Sequence, residues 1–262
     1  MGRVHLLAID DPSDPRLDDF RNLMDADVRP DRRGLVIAEG VNVVERLARS
    51  PYPVRAVIGV PDRIAGLRPT LEPLDVPVYS VDKWTLSAVV GFRVTRGVLA
   101  SADRPPAVGS AALLTRSRRI AVLEGLNDFE NLGALFRNAA AFGLDAVLLD
   151  PRCADPLYRR SVRVSMGHVL TVPFAVLDGA WPASLAALRD FTVLAMTPDP
   201  SATPLREVGV PERWTVLLGA EGPGLSAEAM AAADLRVRIP MAEGVDSLNV
   251  ATAAAVAFAH LQ

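Results

Sequence analysis

Three segments in the second half of this 262-residue chain carry residue types that could bind a ligand and do chemistry on it. They span residues 127–143, 217–226 and 239–261, and each joins an apolar, strand-like run to a helical pattern. Their glycines leave backbone groups open to a ligand, while asparagine, serine, glutamate and arginine supply polar side chains. One such segment is a plausible turn, but three in one α/β domain indicate a binding site.

The first segment could form an anion-binding site. Asn131 and Gly133 lie at the start of a predicted helix, where asparagine is a common N-cap and glycine permits close approach. Arg137 follows about one turn later, so its side chain can reach back over the helix N-terminus, where backbone N–H groups attract negative charge. A capped core helix with a solvated arginine explains the same residues equally well.

The second segment is a glycine-rich loop that follows a strand. Gly219, Gly222 and Gly224 expose backbone groups, Glu221 is the only charge in the loop, and Ser226 is placed to cap the next helix. The spacing matches neither the dinucleotide-binding fingerprint nor the P-loop. Because a carboxylate repels phosphate, the loop favours a ligand with a positive centre or with ribose hydroxyls.

The third segment ends a strand, turns, and opens the final helix of the chain. Ser247 or Asn249 could simply cap that helix, which is the simpler explanation when the segment is taken alone. The helix is rich in small residues, which allow close packing against another backbone. These are Ala251, Ala253, Ala254 and Ala255.

The elements around these segments predict two α/β domains. Apolar runs alternate with helical patterns along both halves, which favours parallel strands in the second half. We expect a small α/β domain over residues 1–104, with an irregular acidic leader, then a linker over 105–116 and a larger domain over 117–262. A Rossmann-like wrap and a knotted wrap fit this alternation equally well.

Composition excludes several classes of protein. There is no apolar run of ~18 residues and no secretory signal, so no membrane contact is expected. One cysteine, Cys153, fits a reducing cytoplasm, and with three scattered histidines no zinc-ligand spacing exists, so no metal is expected. The net charge of −3 argues mildly against non-specific nucleic-acid binding. Local arginine clusters are the better candidates for RNA contact: Arg116, Arg118, Arg119, Arg159 and Arg160.

Together the three segments resemble the motifs of the SpoU/TrmH branch of the SPOUT methyltransferases, which methylate ribose 2′-hydroxyls of RNA. Asn131, Gly133 and Arg137 match that family's N-x-G-x-x-x-R pattern. One departure precedes it, because many members have Asp-Pro and a polar residue where this chain has Asp128, Phe129 and Glu130. The resemblance implies that S-adenosylmethionine is the methyl donor. It assigns catalytic or positioning roles to Arg137, Asn131, Glu221, Asn249 and Ser247.

The same resemblance implies a fold and a cofactor site. The expected fold is a parallel sheet closed by a deep C-terminal trefoil knot, with a homodimer formed through helices of the knotted domain. The first domain resembles a small RNA substrate-binding domain, anchored by Glu39, Gly40 and Gly97. The implied cofactor-binding residues are Leu218, Gly219, Ala220, Gly222, Gly224, Ile239, Met241, Ser247 and Leu248.

The sequence therefore predicts a cytoplasmic S-adenosylmethionine-dependent RNA ribose 2′-O-methyltransferase, with rRNA favoured over tRNA as substrate. A catalytically silent RNA-binding protein of the same fold is the main alternative. A Rossmann-type nucleotide enzyme is disfavoured because no glycine fingerprint follows any strand. Methylation of a base in place of a ribose also stays open.

Overall fold

The structure, a computed structural model, describes residues 5–25 and 34–262. Residues 1–4 and 26–33, which belong to the predicted irregular leader, lie outside the described part. Contacts divide the chain into two units. The first comprises Met1–Pro106 together with Leu157–Leu170, and the second comprises Ala107–Pro156 together with Thr171–Gln262.

The first unit is built on a five-stranded sheet in the order β1-β4-β3-β5-β2, in which β5 runs antiparallel to both of its neighbours. Short 3-10 helices lie at Pro15–Phe20, Leu23–Asp25 and Glu72–Leu74. The strands and α-helices are β1 (His5–Ala8), β2 (Leu35–Glu39), α1 (Val41–Ala48), β3 (Val54–Gly59), α2 (Pro61–Leu71), β4 (Pro77–Ser80), α3 (Lys83–Val90) and β5 (Val98–Asp103).

The second half of the chain supplies a seven-stranded sheet in the order β10-β12-β9-β11-β6-β7-β8, with every pairing parallel as predicted. Its elements are α4 (Ser110–Arg116), β6 (Arg119–Glu124), α5 (Phe129–Ala141), β7 (Ala146–Leu149), α6 (Arg159–Val164, within the first unit), β8 (Phe174–Val176), β9 (Thr192–Met196), β10 (Thr203–Pro204), β11 (Trp214–Gly219), α7 (Ala227–Ala231), β12 (Leu235–Arg238) and α8 (Val250–His260). Residues 183–188 form a 3-10 helix directly after Pro182.

Helix α6 packs on β2 of the first unit, although its sequence lies between strands of the second. Arg159 donates a hydrogen bond of 2.8 Å to the buried carboxylate of Glu39, and its guanidinium stacks 4.6 Å from the ring centroid of Phe92. Arg46 donates to the backbone carbonyl of Met166. These contacts explain why the sequence boundary near residue 105 does not by itself separate the two units.

Helix ends follow local sequence. Helix α5 ends at Ala141 and is followed by Gly143 in the left-handed region (φ 65°), the conformation that favours glycine after a helix.

The final helix α8 buries small residues against the sheet and α5, and the side chain of Asn138 donates to the carbonyl of Ala251 at 2.7 Å. No helix among the described residues is long and apolar enough to cross a bilayer.

The fold predicts a stability difference between two tryptophans. Trp214 is 1% exposed and stacks on Phe258 at 6.4 Å between ring centroids, whereas Trp84 is 69% exposed. We expect Trp214→Ala to lower the free energy of unfolding by about 3–5 kcal/mol, because it opens a large cavity in the core. Urea denaturation followed by circular dichroism measures this.

Trp84→Ala is the matched control, and it should change stability by less than about 0.5 kcal/mol. Equal effects of the two substitutions would contradict the packing of α8 on β11.

Candidate functional site

In the first segment, the cap of α5 lies earlier in the chain than predicted. Asp128, not Asn131, is the N-cap, since its carboxylate accepts from the backbone N–H groups of Glu130 and Asn131 at 2.9 and 2.7 Å. Asn131 therefore lies in the first turn of the helix. Its side chain is free of the capping role and available for another partner.

The second segment is a tight loop at the carboxyl end of β11. Gly224 donates its backbone N–H to the carbonyl of Ala220 at 3.0 Å, and Gly222 and Gly224 both have positive φ values. At Gly219 any side chain would collide with the backbone of Gly224 and Leu225, where the loop turns back on itself. Ser226 caps α7 as predicted, accepting from Ala229 at 3.2 Å.

In the third segment, Asn249 is the N-cap of α8. Its side-chain oxygen accepts from the backbone N–H groups of Ala251 and Thr252 at 3.0 and 3.3 Å. Of the two cap candidates in the sequence, the structure thus selects Asn249 over Ser247. The preceding stretch, residues 239–248, contains neither helix nor strand.

All three segments meet at the amide nitrogen of Asn249. This nitrogen donates one hydrogen bond of 2.7 Å to Oδ1 of Asn131 and another of 2.7 Å to Oε1 of Glu221. An amide NH₂ group has two hydrogens, so both are used. One side chain therefore links the start of α5, the glycine-rich loop and the start of α8.

A cavity of about 640 Å³ lies beside this junction. Every residue that the sequence assigned to cofactor binding lines it, together with Glu221 and Asn249. The structure adds residues that the sequence analysis missed, which are Met196, Thr197, Pro198, Asp246, Val250 and Ala253. Met196 ends β9, the neighbour of β11, and Thr197 and Pro198 follow it, so only the strand order places these three beside the β11 loop.

Arg137 is exposed on α5, one turn beyond Gly133. It forms no hydrogen bond or ion pair with any residue that the structure describes, and it is not among the residues that line the cavity. Asn131 also stays outside the lining but contacts it through Asn249. Of the five predicted catalytic or positioning residues, Glu221, Ser247 and Asn249 face the cavity directly.

The five arginines predicted to bind RNA belong to different elements of the fold. Arg118 and Arg119 lie at the amino end of β6, whereas the cavity lies at the carboxyl ends of β9 and β11. Because these strands are parallel, the two arginines and the cavity are at opposite ends of the strands. Arg116, just before them, is at the end of α4. Arg159 is committed to Glu39, with 13% of its side chain exposed, while Arg160 is exposed.

Glu124, which the sequence did not single out, holds the end of the glycine-rich loop through a hydrogen bond with Ser226. Its carboxylate is buried and accepts from the backbone N–H of Ser226 at 2.8 Å, from the indole of Trp181 at 2.7 Å and from Arg152 at 3.0 Å. A buried carboxylate is stable only when its oxygens are hydrogen-bonded. The one available signal was a charge that interrupts the apolar run at the end of β6.

Asp150, at the end of β7, holds the loop that leads to α5. Its carboxylate accepts from the backbone of Gly125 at 3.0 Å and from the guanidinium of Arg152 at 2.8 Å. Burial works to raise the pKa of Asp150, but the hydrogen bonds from Gly125 and Arg152 outweigh it and lower this pKa below its ordinary value. Asp150 and Glu124 share Arg152 as a common partner.

The described residues contain no group of three or more histidine, cysteine, aspartate or glutamate side chains arranged to hold a metal ion. The lone cysteine is not a reactive group either. Burial, reinforced by the charge of Asp150, raises the pKa of the Cys153 thiol to about 12. Its sulfur accepts a hydrogen bond from the backbone N–H of Leu126 and donates one to the backbone carbonyl of Leu123, both at 3.3 Å.

Comparison with known proteins gives consistent results. Residues 118–259 match the model of the SpoU rRNA Methylase family. An uncharacterised tRNA/rRNA methyltransferase from Mycobacterium tuberculosis is 51% identical over 256 residues, 95% of this chain and 88% of that protein. The 23S rRNA (guanosine(2553)-2′-O)-methyltransferase of Bacillus subtilis is 28% identical over 86% of this chain and 88% of its own length.

Among solved structures, an AdoMet-bound rRNA methyltransferase from Sinorhizobium meliloti matches with a TM-score of 0.80 at 21% identity. The match covers 98% of this chain and 97% of that one. At this identity the likeness concerns the fold.

The loop geometry predicts that Gly219 cannot be replaced. A Cβ atom there would overlap backbone atoms of Gly224 and Leu225, so Gly219→Ala must displace the loop. We expect a loss of about 1–3 kcal/mol in the free energy of unfolding, measured by thermal denaturation. Gly209→Ala, where a Cβ meets open space at an ordinary backbone conformation, should be nearly neutral. A harmless Gly219→Ala would show that the loop is not closed as described.

The thiol of Cys153 should be inert in the folded protein. Since its pKa is raised to about 12, the reactive thiolate is scarce at pH 8 and appears only as pH rises toward 12. We expect negligible reaction with Ellman's reagent at pH 8 in buffer and one thiol per chain in concentrated urea. Rapid labelling of the folded protein would contradict the burial of this side chain.

Proposed function

Because the chain belongs to the SpoU rRNA Methylase family, we propose that it transfers a methyl group from S-adenosylmethionine to a ribose 2′-hydroxyl of structured RNA. One observation carries the proposal most directly. Asn249 draws together the three segments that resemble the family motifs, beside a cavity of about 640 Å³. Scattered segments would have left no common site for donor and acceptor.

The residues of the cavity fit S-adenosylmethionine chemically. Leu218, Ile239 and Met241 line the cavity, and we assign their backbone groups to hydrogen bonds with an adenine, while Leu248 adds apolar surface. The carboxylate of Glu221 suits a ligand with a positive centre. When bound, the cofactor supplies an electrophilic methyl group on a sulfonium.

The residues of this chain then have to orient the acceptor and assist loss of its proton. Arg137 is exposed and unpaired among the described residues, so its guanidinium is available to grip an RNA phosphate bidentately. Arginine is a poor base because its pKa is above ~12. We therefore assign Arg137 to binding the phosphate and stabilising the developing 2′-oxyanion, with the hydroxyl proton leaving through that phosphate or through water.

Asn131, Glu221 and Asn249 act as positioning residues in this proposal. Their mutual hydrogen bonds fix the start of α5 relative to the cavity, and α5 carries Arg137. Ser247 lines the cavity beside them and can donate to the ribose or the cofactor. Holding the two reactants in line is worth a large part of the rate enhancement in group transfer.

The acceptor is proposed to be rRNA, since the Bacillus subtilis relative acts on 23S rRNA at a ribose. A required 2′-hydroxyl would exclude DNA. The reaction belongs in the cytoplasm, which the single cysteine suits. Arg160 is the surface arginine of the first unit that we retain as an RNA contact. Arg116, Arg118 and Arg119 are set aside because they lie at or before the amino end of β6, whereas the cavity lies at the carboxyl ends of β9 and β11.

Two features of assembly belong to the same proposal. The trefoil knot is supported by the path of the last 24 residues, because the segment after β12 lies at the β11 loop and α8 then returns to α5 and β11. A homodimer is supported by α8, where Val256 is 39% exposed on an otherwise small-residue surface. The solution mass from sedimentation measures the dimer directly.

The decisive variant is Arg137→Ala. We expect it to lower methyl transfer to RNA by at least about 100-fold, because the proposed contact acts on the developing oxyanion. Binding of S-adenosylmethionine should be unchanged, because Arg137 does not line the cavity. Tritiated methyl incorporation into RNA from cells that lack the gene measures transfer, and nucleoside digestion shows whether a ribose or a base carries the methyl group.

Arg189→Ala, which removes another exposed arginine of the second unit, is the matched control and should retain activity. Near-normal transfer by Arg137→Ala would contradict the role of this residue. Tight donor binding by the natural protein without any transfer would favour a silent RNA-binding protein.

A further inference from the structure

The charges that face the cavity are all negative. Glu221 and Asp246 line it, and among the other described residues of the lining there is no lysine, arginine or histidine. The remaining lining residues are neutral, from Met196 and Thr197 to Val250 and Ala253. The cavity is therefore an electrostatic environment that favours a cation over a neutral ligand of the same shape.

The two carboxylates differ in how they are held. Glu221 accepts a hydrogen bond of 2.7 Å from Asn249, which fixes it at the junction of the three segments. Asp246 is exposed and forms no hydrogen bond or ion pair with any described residue. Its charge is thus not neutralised by the protein and remains available to a ligand in the cavity.

The charge of the ligand changes during the proposed reaction, on which this inference rests. The methyl carbon forms a bond to the 2′-oxygen as its bond to sulfur breaks, and the bonding electron pair stays on sulfur. The hydroxyl proton leaves to the phosphate or to water. A sulfonium cation thereby becomes a neutral thioether, while the rest of the cofactor is unchanged.

We propose that Asp246, with Glu221, is a specificity-determining residue that makes the cavity prefer S-adenosylmethionine over its product S-adenosylhomocysteine. Attraction between a carboxylate and the sulfonium acts on the methyl donor and is lost when the methyl group has moved. The site would otherwise hold product and donor alike, since their adenosine and amino-acid parts are the same. Release of the product is thus favoured by the loss of charge itself.

The test compares the affinities of the two ligands by isothermal titration calorimetry, using the full chain without RNA. In Asp246→Asn, we expect the dissociation constant for S-adenosylmethionine to rise on the order of 3- to 10-fold, and that for S-adenosylhomocysteine to change less than about 2-fold. Added salt should reduce the preference of the natural protein, because the carboxylate is exposed.

Glu243→Gln is the matched control, because it removes a charge from the same turn at an exposed residue outside the lining. It should leave the ratio of the two affinities unchanged. Equal weakening of both ligands by Asp246→Asn would overturn the proposal, since it would place Asp246 on the amino group that both share. Unchanged affinities in that variant would overturn it too. If the natural protein bound neither ligand, the proposed function itself would fail.

Discussion

The site in the second unit depends on one side-chain amide. The oxygen of Asn249 satisfies two backbone N–H groups at the start of α8, and its nitrogen satisfies Asn131 and Glu221. An N-cap of this kind contributes about 1 kcal/mol to stability. Because the same group also sets the spacing between three loops, helix stability and site geometry cannot be varied independently at this position.

Carboxylates serve two different purposes around this amide. Glu124 and Asp150 are buried at the ends of β6 and β7, where they hold Ser226, Gly125 and Arg152. Their hydrogen bonds offset the cost of removing charge from water. Glu221 and Asp246 line the cavity instead, and both are exposed. The buried pair positions loops, and the exposed pair presents charge to a ligand.

Much of this arrangement could be predicted from sequence because it is local. The turn after β11 and the caps at Ser226 and Asn249 follow from short patterns of glycine and polar residues. The residues that line the cavity from both loops come from the resemblance to the SpoU/TrmH motifs. The prediction of Asn131 as a cap is wrong because Asp128, three residues earlier, is an equally good cap and is the one that the structure uses. Sequence alone offers no means to choose between them.

The remaining features depend on contacts between distant parts of the chain. Strand order brings Thr197 beside β11, and only the sheet shows that Arg118 lies at the amino end of β6, away from the cavity at the carboxyl ends of β9 and β11. The pairing of Glu39 with Arg159 joins residues 120 positions apart. Periodicity reports which face of an element is buried, but not which neighbour covers it.

The attachment of α6 to the first unit constrains how genes of this kind can be recombined. A chain cut near residue 106 would lose Arg159 and Arg163 and leave the buried carboxylate of Glu39 without its cationic partners. Residues 1–106 thus cannot be exchanged on their own, and chimeras between relatives would have to exchange residues 157–170 together with them.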